Sequence, residues 1–171
     1  MASLWNLARD RGVVALALFF AMAAVIAAVQ GFEHIGGYIP CKLCLGQREP
    51  YYAAMPVALL AAVAAWRGWP AFVGRGLLAI VGLLLVYTLA LGVHHAGVEW
   101  AWWAGPSDCG AVAGGISTDV RDLLGDLTAR RPPSCDEAAG RFLGLSFAGW
   151  NVVAAAALAV VAWRGALASG D

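Results

Sequence analysis

Twenty-two lysine, arginine, aspartate and glutamate residues are spread so unevenly along this 171-residue chain that four long stretches carry no such charge. They are residues 12–32, 50–66, 76–98 and 142–163, with lengths of 21, 17, 23 and 22 residues. A helix crossing the hydrocarbon core of a bilayer needs about 20 mostly apolar residues, with about 17–25 tolerated. All four stretches meet that length, the second at its lower limit. Only helices or closed barrels satisfy their backbone hydrogen bonds in lipid. The unbroken Ala/Leu/Val runs lack the alternation of a barrel strand. Hydrophobic residues make up 61% of the chain and charged residues 13%, with a mean hydropathy of +0.73. Those values exclude an ordinary soluble domain, about 45–50% apolar and about 25% charged, and a disordered chain. The net charge is zero, so no basic excess points to nucleic acid.

The sequence therefore predicts an all-α fold, a four-helix transmembrane bundle forming one integral-membrane domain over residues 1–171. The expected spans are about 12–31, 46–66, 74–96 and 143–164, with outer loops at about 32–45 and 97–142. The first run follows Arg9 and Arg11 and could be read as a secretory signal. It is longer than the usual apolar region of about 7–15 residues, which favours a retained helix. With four spans, both termini share a side. The short segments on that side hold Arg9, Arg11, Arg67, Arg75 and Arg164. Six basic residues are diluted over the longer opposite segments, 33–49 and 99–141. Basic residues concentrate in short cytoplasmic segments. The termini and the 67–75 segment are accordingly expected in the cytoplasm. Trp66, Trp69 and Trp163 would mark the inner interface, and Trp100, Trp102 and Trp103 the outer one.

The four cysteines agree with this orientation. Cys41 and Cys44 fall in the first outer loop, Cys109 and Cys135 in the second, and the inner segments have none. An even number confined to one side fits an oxidising compartment. Cys41-Lys42-Leu43-Cys44 is a C-x-x-C motif just before the second span, which places Cys44 near a helix N-terminus. The helix dipole there favours a thiolate. Arg48, four residues on, would lower the thiol pKa further. A zinc site wants four ligands, typically two such pairs, and there is no second C-x-x-C. A structural disulfide across so small a ring would fix little chain. Redox chemistry is the favoured reading of the three.

The second outer loop, residues 99–141, is long enough to suggest function. Val120, Leu123, Leu124 and Leu127 follow a helical i, i+3, i+4, i+7 pattern opposite Asp119, Arg121, Asp122 and Asp126. They predict a short amphipathic helix, lying on the membrane or packed on top of the bundle. A bond between Cys109 and Cys135 would close this loop. As a structural closure it would contribute about 3–4 kcal/mol; strained and exposed, it would be exchangeable. Both readings stay open. His94 and His95 end the third span, either as interfacial anchors or as proton-handling groups beside the dithiol. Glu33, His34 and Glu49 read as solvated loop residues.

Four spans, a C-x-x-C ahead of the second with an arginine four residues on, and a cysteine pair in a long second outer loop resemble the DsbB family of disulfide bond formation proteins. The resemblance covers nearly the whole chain. It is carried by P-C-K-L-C-L-G-Q-R-E-P-Y-Y at 40–52, by Cys109 and Cys135, and by C-D-E-A-A-G-R-F-L-G-L-S-F-A-G-W-N at 135–151. It implies a quinone-dependent thiol oxidase of the bacterial inner membrane with periplasmic cysteine loops, serving a thioredoxin-fold oxidant of the DsbA type. Cys109 would be the residue attacked by that partner, Cys135 its loop mate, Cys41 the sulfur exchanging with the loop, and Cys44 the thiolate facing the quinone. Arg48 resembles the quinone-site arginine. Of the His94-His95 doublet, His95 is the better match to the histidine of that site. Gln47 stands where some members carry an acid. The quinone would be ubiquinone or menaquinone, and no metal is implied. Rival readings are a vitamin K epoxide reductase type, whose active C-x-x-C belongs on a later helix, a non-catalytic membrane protein with structural disulfides, and a metal-binding membrane protein.

Overall fold

The structure, a computed structural model, describes residues 11–105 and 135–168. Four long helices dominate it: α1 (Arg11–His34), α3 (Glu49–Trp66), α4 (Ala71–Glu99) and α5 (Phe147–Leu167). A single turn, α2 (Lys42–Gly46), precedes α3. The strands β1 (Arg141–Phe142) and β2 (Leu145–Ser146) form an antiparallel pair before α5. In the bundle α1 packs on α3, α3 on α4, α4 on α5, and α5 closes back on α1.

The interior is built from small side chains. Ala15, Ala54, Ala58, Ala61, Ala62, Ala159 and Ala162 are buried among Leu18, Met22, Leu78, Val81 and Leu85. Small residues let helices approach closely where lipid supplies no hydrophobic drive for association. At Gly82 a Cβ would lie 3.0 Å from the Trp163 ring, so glycine lets that indole settle on α4. Large apolar side chains such as Phe20, Phe72, Leu83 and Val153 point outward. Apolar residues on every face, with most of the surface left outside the bundle, fit helices solvated by lipid.

By length and composition α1, α4 and α5 can each cross a membrane. The expected second span, 46–66, differs in detail. Its helix begins at Glu49, because Gln47 and Arg48 form a bend after α2 and Pro50 sits in the first turn. Proline is tolerated there because that N–H has no partner within the helix anyway. Glu49, Pro50, Tyr51, Tyr52 and Pro56 lower the hydropathy of this 18-residue helix relative to the other three. The other spans also differ at their ends. The first and third extend further, and the fourth starts later because residues 141–146 form the hairpin, turning through Leu143 and Gly144 at φ of 52° and 84°. Ser146 caps α5 by accepting from the Gly149 N–H at 3.1 Å.

One end of the bundle gathers Arg11, Arg75 and the C-terminus of α5. Arg11 donates to the Ala168 carbonyl at 2.6 Å and Arg75 to that of Ala166 at 3.1 Å. Cationic donors at a helix C-terminus satisfy its last carbonyls and oppose its dipole. Cys41, Cys44 and Cys135 lie at the opposite end. Cys109 and the expected amphipathic helix fall outside the described residues.

Candidate active site

The C-x-x-C motif occupies α2. Cys41 has extended backbone angles (φ −80°, ψ 170°) and is its N-cap, its Sγ accepting from the Cys44 N–H at 3.2 Å. The two sulfurs are free thiols, hydrogen-bonded at 3.0 Å. The proton they share stays on Cys44. That hydrogen bond is the main cause holding Cys41 down at about 4; burial works against it, and His95 and the Cys44 N–H assist. Cys44 is pushed well above the ordinary thiol range, first by the same bond to Cys41 and then by burial, with Arg48 pulling the other way. The expectation of a thiolate on Cys44 is therefore corrected for the dithiol: α2 begins one residue after Cys41, so Cys41 receives the capping N–H.

A polar network ties this turn to the bundle. His95, buried on α4, places Nε2 3.6 Å from Cys41 Sγ. Gln47 Nε2 donates to His95 Nδ1 at 2.7 Å and to the Leu43 carbonyl at 3.2 Å. Gln47 Oε1 accepts from Asn151 Nδ2 on α5 at 2.7 Å. Asn151 Oδ1 accepts from the Tyr51 hydroxyl at 2.9 Å, and the Gln47 carbonyl accepts from Thr88 at 2.7 Å. With Nδ1 an acceptor, the neutral ring carries its hydrogen on Nε2, facing Cys41. Gly92 makes the approach possible. A Cβ there would lie 3.0 Å from Val152, 3.3 Å from Asn151 Nδ2 and 3.4 Å from Gln47 Oε1.

Beside this network a cavity of about 430 Å³ opens between α1, α3 and α5. Its wall is mostly apolar, with Val29, Phe32, Phe147 and Ala154 among the lining, and Cys44, Arg48 and His95 meet it at one end. Phe32, Tyr38 and Phe147 cluster there, with ring centroids 4.9–6.3 Å apart. Arg48 is nine-tenths buried and donates from Nη1 to Glu33 Oε2 at 2.6 Å, while its Nε is buried with no partner among the described residues. On the other side, Cys41, Val98 and Cys135 form a small buried cluster with Leu43 and Cys44 against it. Cys135 is disulfide-bonded.

The profile of the family described as disulfide bond formation protein DsbB matches residues 10–164. The chain belongs to the DsbB family. Curated relatives named disulfide bond formation protein B agree. That of Azoarcus sp. is 32% identical over 164 residues, covering 91% of this chain and 92% of the relative. That of Aromatoleum aromaticum is 31% identical over 160 residues, covering 85% and 89%, and that of Marinobacter nauticus 30% over 141 residues, covering 80% of each. No solved structure matches the chain at comparable significance. Membership makes this a DsbB-like redox enzyme in a multi-span inner-membrane fold.

The DsbB fold brings together Cys41, Cys44, Gln47, Arg48, His95 and Cys135 from the residues expected in the site. It does not bring His94, which is exposed. Trp103 Nε1 donates to the His94 ring at 3.1 Å and to its carbonyl at 2.8 Å. Successive residues on a helix point about 100° apart, so only one of the doublet can face the dithiol. Glu33 is no solvated loop residue; it is the partner of Arg48. Asn151, Thr88 and Glu99 join the site without having been singled out for it. Asn151 did leave a signal, as an amide inside a charge-free span. The residues present fit a bound quinone: an apolar wall for ring and tail, with Arg48 and the Cys44 thiol in the same lining.

Proposed function

We propose that this chain reoxidises a periplasmic DsbA-type dithiol protein and passes the electrons to a membrane quinone. The observation that carries the proposal is the division of the two sulfurs. Cys44 opens on the cavity with Arg48 and His95, while Cys41 belongs to the buried cluster of Cys135. In this reading α3 is the fourth span, and the cysteine-bearing end faces the periplasm opposite cytoplasmic termini. Cys109 and Cys135 form the loop disulfide, and the partner thiolate attacks Cys109. The bond passes to the partner as the loop pair is reduced, and the Cys41–Cys44 disulfide reoxidises the loop by exchange at Cys41.

When Cys41 is held in a bond to the loop, Cys44 is the sulfur released. It then loses its hydrogen bond with Cys41, the largest cause of its raised pKa, and keeps the opposing pull of Arg48. Bound in the cavity, a quinone supplies a two-electron, two-proton acceptor. Arg48 would donate to its oxygen, the Phe32–Phe147 wall would exclude water, and His95 would hold a hydrogen at Nε2 next to the pair. The net change is two partner thiols and one quinone becoming one disulfide and one quinol. A DsbA-type dithiol, near about −120 mV, is already a strong oxidant, so its reoxidation needs an acceptor of higher potential.

The test uses purified protein in detergent with a reduced DsbA-type partner and a quinone. Cys109→Ser should abolish the trapped mixed disulfide, and Cys44→Ser should abolish turnover. Unchanged turnover in Cys44→Ser would sink the proposal.

A further inference from the structure

We propose that Cys41, Cys44 and His95, once the cysteines are reduced, form a three-ligand site for one thiophilic divalent cation of the zinc class. Their ligand atoms already lie within 4.8 Å of one another, and all three residues are shielded or partly shielded from solvent. Zinc binds sulfur at about 2.3 Å and imidazole nitrogen at about 2.0–2.1 Å in tetrahedral geometry. Those bonds put a sulfur and a nitrogen ligand about 3.6 Å apart and two sulfurs about 3.8 Å apart. Cys41 Sγ and His95 Nε2 stand 3.6 Å apart, so that edge of the tetrahedron is already in place. The sulfurs, at 3.0 Å, have to spread by less than 1 Å. The fourth position is left for water or for a group from the site's own wall.

One further observation points to a cation. Glu99 sits one helical turn from His95, its Oε1 3.8 Å from Nε2, and it is nearly fully buried. Its Oε2 has no partner among the described residues. Thiol–disulfide exchange gives this carboxylate no task, whereas a cation beside His95 would. The amide chain behind the histidine has to rearrange for this. A metal at Nε2 requires the ring hydrogen on Nδ1, which needs an acceptor. Gln47 Nε2 donates to both Nδ1 and the Leu43 carbonyl, so binding at Nε2 requires the Gln47 amide to turn its Oε1 toward Nδ1 at the loss of the Leu43 bond, with the Asn151 amide turning in step. Binding displaces the proton shared by the two sulfurs and leaves both bound as thiolates. The occupied pair is held reduced and is unavailable for reoxidation. The inference concerns the reduced pair alone and stands whatever the final electron acceptor is.

The full-length Cys109→Ser/Cys135→Ser variant confines thiols to the site. Reduced with a phosphine and kept anaerobic, it is titrated with Co²⁺ and then with Zn²⁺ against a chromophoric chelator. The expected result is one ion per chain with a tetrahedral, thiolate-bound cobalt spectrum. On that background His95→Ala should weaken binding at least about 10-fold, and His94→Ala should leave it unchanged. Gln47→Glu, which offers Nδ1–H a carboxylate, should tighten binding about 10-fold, the scale of outer-shell effects on metal sites. Absence of the cobalt–thiolate band in the parent would overturn the proposal. So would equal affinity in His95→Ala, or no tightening in Gln47→Glu, since both would mean chelation by the dithiol alone.

Discussion

Replacing Cys44 by alanine should move the acid titration of Cys41 by a calculable amount. The 3.0 Å hydrogen bond between the sulfurs is the largest cause of the low Cys41 pKa, about 4. A hydrogen bond to a charged group contributes about 1.5–3 kcal/mol, and one pKa unit corresponds to about 1.4 kcal/mol. Its loss should raise Cys41 by about one to two units, to about 5–6. His95 and the residue 44 N–H remain to hold it below the ordinary value of about 8.5. The sign is fixed by the direction of the shift. A lowered pKa means that the thiolate is present above about pH 4 and is lost as the pH falls through it. The measurement is ultraviolet thiolate absorbance against pH, or the pH dependence of alkylation, in reduced Cys109→Ser/Cys135→Ser protein with and without Cys44→Ala. With Cys44 present, alkylation of Cys41 should be flat between about pH 5 and 8, where an unperturbed thiol would gain about 10-fold per unit. A parent midpoint near 8.5, or the same midpoint with and without Cys44, would refute the reasoning.

Asn151→Ala would leave Gln47 Oε1 and the Tyr51 hydroxyl without their partner. At about 1–3 kcal/mol for each stranded group, it should lower the unfolding temperature in detergent by several degrees, read by a thermal scan. Gly92→Ala would push a methyl to 3.0 Å from Val152 and against the Gln47–Asn151 bond; overpacking of this kind costs about 1–3 kcal/mol, and turnover should fall along with stability. His95→Ala should cut turnover at least about 100-fold, the lower end for removing a group that handles a proton, while His94→Ala should stay within about 2-fold of the parent in the same thiol-oxidation assay. Arg48→Gln should raise the quinone KM in steady-state kinetics, with trapping of the partner through Cys109 retained.

Much of this molecule is legible from where the charges are missing. The uninterrupted runs at 12–32, 76–98 and 142–163 predict α1, α4 and α5, because nothing within them opposes either helix or lipid. The ends were harder to read. Leu143 and Leu145 are as apolar as any span residue, yet the turn through Leu143 and Gly144 makes them part of a hairpin. The C-x-x-C pattern announces a reactive pair ahead of a helix. Which cysteine receives the cap depends on a separate one-turn helix that starts at Lys42, ahead of the span. His94 and His95 are equivalent in sequence and differ only in the face of α4 each occupies. The Glu33–Arg48 pair spans 15 residues and two helices, so local spacing cannot show it. Asn151 and Glu99 carry weight through neighbours supplied by other helices or by one turn of their own.

The central claim is that electrons leave two partner thiols and arrive on a quinone. The most direct measurement is the anaerobic yield of quinol and partner disulfide after mixing the purified protein, a reduced DsbA-type partner and limiting quinone. The account predicts one quinol per disulfide formed, with many turnovers per chain, and none in Cys44→Ser. Partner oxidation without quinol, or quinol formed equally well without Cys44, would contradict it.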